Sequence, residues 1–198
     1  MGNPFNYRMV DCHDCDHQMK QRITYTKRSF VEKMIELKAK GDNEKDPVER
    51  SNNYFLFANG LYNMTYYGNA RLVSSTVVNW NYSDSNRFSR YNENDKKSSD
   101  YYDCKNALTF YLMAKELNSN QEFKAKCTWM AAKCEHNLWL ESEYISDESI
   151  DFEAGIYFKQ MKEQFANTNY YKDVIGECGY FCQYINSADS KCIKNKDY

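Results

Sequence analysis

Between Asp100 and Asn137 the chain reads DYYDCKNALTFYLMAKELNSNQEFKAKCTWMAAKCEHN, and this stretch constrains the fold more than any other. Apolar residues recur at helical spacing in two blocks. Cys104, Ala107, Leu108, Tyr111, Leu112, Ala114 and Leu117 form the first stripe, and Phe123, Cys127, Met130, Ala131, Cys134 and Leu138 the second. Leu117-Asn-Ser-Asn supplies a stop and a start, and Ser119 stands three residues before Glu122 in a capping-box pattern. Two helices joined by so short a turn fold back on one another. A lone hairpin cannot bury both apolar faces, so the pattern predicts a stacked array of such units.

The rest of the chain fits that expectation. Residues 1–15, with Pro4, read as a non-helical N-terminal segment. A helix is predicted from Asp16 to Lys40, with Met19, Ile23, Phe30, Met34 and Leu37 along one stripe, ending at Gly41-Asp42-Asn43. Asp46-Pro47-Val48-Glu49 then gives an N-cap, proline at the first helical position and an acid three after the cap, opening a helix to about Tyr67. Residues 79–100 are polar and lack helical spacing, a loop insertion whose Trp80, Tyr82, Phe88 and Tyr91 argue against a purely disordered linker. A polar break at Glu141–Ser149 precedes helices expected from Ile150 to Phe165 and from Tyr170 to Ile185, and 186–198 is a polar tail. The sequence therefore predicts a single all-α domain over 1–198, a short array of antiparallel hairpins with about six or seven helices.

Composition narrows the function classes. Two Pro and seven Gly in 198 residues are too few for a loop-rich or all-β fold. A net charge of −2 supplies no basic field for nucleic acid, and no apolar run reaches the ~18 residues that span a bilayer. The start, MGNPFNYRMV, has no apolar signal core. No GxSxG, HExxH, P-loop or GxGxxG occurs, so the familiar catalytic starting points are missing and a non-enzymatic role is expected. The carboxylates at Glu141, Glu143, Asp147, Glu148 and Asp151 read as a solvated face.

One segment, SNNYFLFANGLYNMTYYGNA, resembles the first helix of a tetratricopeptide repeat. Ala58 stands at that family's small position, Leu61 and Tyr62 at its large one, and Ala70 at the partner helix's small position. Small residues let two helices approach closely while a bulky neighbour fills the groove. Ala107, Tyr111, Ala114 and Leu117 repeat the second-helix pattern, and Phe158, Met161 and Phe165 resemble another second helix. The chain departs from the family in having no 34-residue period and no proline after the second helix. The resemblance implies a TPR-like α-solenoid over roughly 47–185 that docks a protein partner. It also implies a binding face made of Phe55, Asn59, Tyr62 and Asn63, with the asparagines bonding an extended peptide's backbone. The alternative is that Phe55 and Tyr62 pack on the next helix. More loosely, DCHDCDH, FANGLYNMTYYGNAR and KDVIGECGYF resemble the C-terminal part of large helical-repeat proteins of the Bacteroidota cell envelope, which implies a periplasmic or outer-membrane-associated setting.

Asp11-Cys12-His13-Asp14-Cys15-Asp16-His17 is the one constellation with ligand spacing. Cys12 and Cys15 could point at one structural zinc, with His17 as third ligand and Cys178 and Cys182 as candidate further donors. A disulfide through Cys12 or Cys15, and a simple helix-capping role for the Asp and His residues, compete with that reading. Cys104, Cys127, Cys134 and Cys178 lie on apolar stripes, where a free thiol behaves as a small hydrophobe.

Three functions follow. The first is a protein-binding scaffold. The second is a glycan-binding accessory module, suggested by 18 Tyr and 3 Trp whose faces can stack on sugar rings. The third is a metal-dependent enzyme using the Cys12/Cys15/His17 cluster, which would need an open coordination position and a nearby acid or base.

Overall fold

A computed structural model describes residues 3–7, 9, 25–70, 73, 103–143, 155–178, 181, 182 and 185. Among these the chain is all helical, with six helices: α1 (Lys27–Asn43), α2 (Pro47–Met64), α3 (Lys105–Leu117), α4 (Gln121–Glu143), α5 (Ile156–Gln164) and α6 (Asn169–Glu177). Each of α1 to α4 packs on the next, while α5 and α6 both lean on α4. The expected all-α array of helical hairpins is what the chain forms.

Capping chemistry sets the boundaries. The α1 helix begins at Lys27, not at Asp16. Tyr25 and Thr26 are non-helical, and Thr26 makes a reciprocal capping box with Ser29. Met19 and Ile23 lie outside the described residues. The Asp46 carboxylate accepts from the N–H groups of Val48 and Glu49 at 3.3 Å each, with Pro47 at the first helical position, as the sequence predicts. The α2 helix stops at Met64, short of the expected Tyr67, because the Thr65 hydroxyl and N–H both turn back to the Tyr62 carbonyl.

The start of α4 differs from the sequence reading. Asn120, not Ser119, is the cap: its side chain accepts from the Phe123 N–H at 3.1 Å and its carbonyl from Lys124. Glu122 is thereby released from the capping box and points elsewhere. The helix also runs through Glu141 to Glu143, where a polar break was expected. Further on, α5 starts at Ile156 after the cap Gly155, and α6 ends at Glu177.

Close approach holds the hairpins together. Ala58, Ala107, Ala114 and Ala131 are all fully or almost fully buried, at the small positions that let the helices meet. A β-carbon at Gly41 would lie 2.5 Å from the Tyr54 ring, and one at Gly60 would meet the Met34 sulfur, so these glycines set the α1–α2 separation. The Ser51 hydroxyl donates to the Ala114 carbonyl at 2.9 Å and accepts from Asn118 at 3.1 Å, fastening α2 to α3. Further along, Trp129 stacks on Phe158 at 5.5 Å and meets Phe181 edge-on at 5.3 Å, joining α4 to α5 and to residue 181.

Candidate functional site: a seat for a turn

The four residues of the expected binding face do converge, but inward. Phe55, Asn59, Tyr62 and Asn63 are all buried. What covers Phe55, Asn59 and Asn63 is the chain's own N-terminal segment.

That segment is a turn. Asn3-Pro4-Phe5-Asn6 closes through the Asn6 N–H donating to the Asn3 carbonyl at 3.2 Å. The Asn3 side chain accepts from the Phe5 N–H at 3.0 Å, and Pro4 presets its own backbone angle for the turn. Such a turn exposes its carbonyls, and α2 collects them. The Asn59 amide donates to the Phe5 carbonyl at 2.8 Å, and the Asn63 amide to the carbonyls of Pro4 and Asn6 at 2.9 and 2.7 Å. Asn59 and Asn63 are one helical turn apart, so both amides face the same side of α2. Each is held from behind. The Tyr111 hydroxyl donates to Asn59 Oδ1 at 2.8 Å, and the Asn69 backbone N–H to Asn63 Oδ1 at 3.3 Å. Gly68 makes that second support possible, because a β-carbon there would overlap the Asn63 backbone.

Rings fill the seat around this polar row. Phe5 lies 5.4 Å from Phe30 and meets Tyr25 edge-on at 5.3 Å. Tyr7 meets Phe55 edge-on at 5.4 Å, and Phe55 in turn touches Tyr111 and Phe123. Lys126 sits 5.9 Å from both the Tyr7 and Tyr170 rings. The Trp129 indole N–H closes the far end by donating to the Met9 carbonyl at 3.0 Å. Tyr62 belongs to the helix contacts instead: its hydroxyl accepts from Asn137 at 3.0 Å, and the buried Lys133 ammonium lies 4.9 Å from its ring.

A second feature was hidden from the sequence. Two glutamates of α4 cap the helices that lean on it. Glu122 accepts from the N–H groups of Asn169 and Tyr170 at 2.8 and 2.9 Å, beside the Thr168 cap of α6. Those two bonds, Tyr170's first, hold its carboxyl below the ordinary carboxylate range. Glu135 accepts from Ile156 and Tyr157 at 3.0 and 3.1 Å, replacing the side-chain cap that Gly155 lacks. A β-carbon at Gly155 would strike the Glu135 carboxylate.

The candidate zinc ligands Cys12, Cys15 and His17 lie outside the described residues, as do the 79–100 loop and the tail from 186. Among the described residues no group of three His, Cys, Asp or Glu side chains could hold a metal ion. Cys104, Cys127 and Cys134 are buried thiols, and Cys178 is a half-buried one. Burial pushes the Cys127 thiol well above its ordinary range, so it is an inert packing group. Cys182 is disulfide-bonded. Among the described helices none is long and apolar enough to cross a membrane. Compared with protein-family models, curated proteins and solved structures, the chain matches none.

Proposed function

We propose that this chain is a non-enzymatic protein-binding or scaffold module of tetratricopeptide-like type, part of a larger assembly of the cell envelope. The observation that carries the reading is the capture of three consecutive backbone carbonyls, at Pro4, Phe5 and Asn6, by two asparagines of one helix face. A helical array whose side chains grip main-chain groups is equipped to hold polypeptide. The disulfide at Cys182 supports an oxidising compartment such as the periplasm.

The glycan reading lacks its platform among the described residues, where no aromatic side chain is exposed. Trp129, the largest of the fully buried side chains, is sealed between Phe158 and Phe181.

The test is affinity capture with the intact chain, followed by reconstitution of each captured protein in purified form. A partner that binds the purified chain saturably, with a Kd in the micromolar range or tighter, is the expected result. Captured proteins that all fail to bind once purified contradict the reading.

A further inference from the structure

The chain's own turn leaves its seat chemically incomplete at both ends. Asn69 donates its amide to the Asn3 carbonyl at 3.2 Å, but its side-chain oxygen is buried with no hydrogen-bond partner. At the opposite end the Tyr170 hydroxyl is buried and unpartnered, its ring 6.3 Å from that of Tyr7. Buried polar atoms without partners are few in native proteins and costly, so two of them flanking one seat need a reason. Between them every outward carbonyl of the turn is satisfied. The middle of the seat fits the turn, and its ends offer hydrogen bonds that residues 3–7 do not take up.

We propose that this seat is a receptor for an Asn-Pro-aromatic turn carried by a second polypeptide, and that residues 3–7 occupy it until that partner displaces them. This rests on the reading of the chain as a protein-binding module and names the ligand of its site. The contacts specify the ligand. Its first residue is Asn or Asp, so that the side chain accepts from the third residue's N–H as Asn3 does from Phe5. Its second is proline, because Pro4 is fully buried and pre-forms the turn. Its third is aromatic, to reach Phe30 and the Met34–Gly60 contact as Phe5 does. A donor side chain before the turn would satisfy the Asn69 oxygen, and a neutral hydrogen-bonding side chain after it the Tyr170 hydroxyl. Charge of neither sign is favoured at that end, where the Lys126 ammonium lies 5.9 Å from the Tyr170 ring and the Asp173 carboxylate also acts on the Tyr170 hydroxyl. The tethered turn competes at an effective concentration on the order of millimolar, so the free chain holds its site mostly closed.

The test uses the full chain and a fluorescent peptide of residues 2–10, GNPFNYRMV. Phe5→Ser with Tyr7→Ser loosens the chain's own turn and leaves every seat residue in place. By anisotropy this double variant is expected to bind the peptide at least about tenfold tighter than the wild-type chain, and adding Asn63→Ala to it removes the gain. A double variant with native circular dichroism that takes up no peptide, or binds it no better than wild type, overturns the proposal. Should the double variant not fold, the wild-type chain is irradiated with millimolar peptide carrying benzoylphenylalanine in the place of Phe5. Crosslinks to Met34 or Gly60 support the proposal; crosslinks elsewhere, or none, overturn it. A dimer of the wild-type chain that the peptide dissolves would show turn exchange between copies and overturn the assignment to a second kind of polypeptide. A reconstituted partner that still binds at saturating peptide overturns this inference while leaving the module reading intact.

Discussion

The Asn63 side-chain amide donates to the Pro4 carbonyl across 59 residues of sequence, at 2.9 Å and with both groups buried. The same amide serves Asn6. This contact makes the N-terminal turn part of the core of α2 rather than a loose end, and it turns a helix face that could have been a surface into an occupied seat.

Asn63→Ala strips two carbonyls of their donor and leaves the Asn69 N–H without the oxygen it now meets. Leaving buried groups unpaired costs about 1–3 kcal/mol, and that loss is expected in urea unfolding. Asn59→Ala should cost a similar amount, because it deprives both the Phe5 carbonyl and the Tyr111 hydroxyl. A loss below about 0.5 kcal/mol in both variants would mean that the turn is not seated in solution.

The helices were legible in the sequence because periodicity and capping are local. Asp46-Pro47 marked the start of α2, and Cys127, Met130, Ala131 and Cys134 are buried in α4 as their spacing predicts, although Thr128, Trp129, Ala132 and Lys133 between them are buried too. What failed was choice among local competitors: Asn120 outbid Ser119 as a cap because Glu122 is engaged 47 residues away, at Asn169. The spacing of Phe55, Asn59, Tyr62 and Asn63 marked one face of α2 but could not say what covers it. That depends on contacts spanning 54 residues or more, to a turn with no helical signature of its own.

Glu122 ties stability to pH. Its carboxyl lies below its ordinary value of 4.5 in the folded chain, chiefly through the Tyr170 N–H and then that of Asn169. A lowered folded value means that its stabilisation is fully present above the unfolded value and is lost as pH falls through the folded one. Melting temperatures of wild type and Glu122→Gln, measured from pH 7 downward, should therefore differ in favour of wild type above about pH 4.5 and converge in acid. A gap that is unchanged at pH 2 would contradict the trans-capping role.

Thiol chemistry separates the cysteines. In the folded, unreduced chain Cys104, Cys127 and Cys134 are buried and should resist a thiol reagent, while the half-buried Cys178 reacts ahead of these three. Under denaturant, the eight cysteines of the chain less Cys182 and its partner leave at most six titratable thiols. Eight titratable thiols would show that the disulfide is absent.

Trp129 fastens residues 9 and 181 to α4. Trp129→Ala removes the stacking on Phe158 and the contact with Phe181, and should cost about 3–5 kcal/mol. Trp129→Phe keeps a ring but loses the donor to the Met9 carbonyl, so it should cost less, yet speed hydrogen exchange in residues 3–9 ahead of the helices. Equal exchange in the two chains would separate Met9 from Trp129.

The most direct test of the seated turn is a nuclear Overhauser measurement on the intact 23.5 kDa chain. The Phe5 ring should show cross-peaks to Gly60, to the Met34 methyl and to Phe30, and the Tyr7 ring to Phe55. A Phe5 ring without those cross-peaks, in a sample whose α2 signals are sharp and native, would contradict the account at its centre.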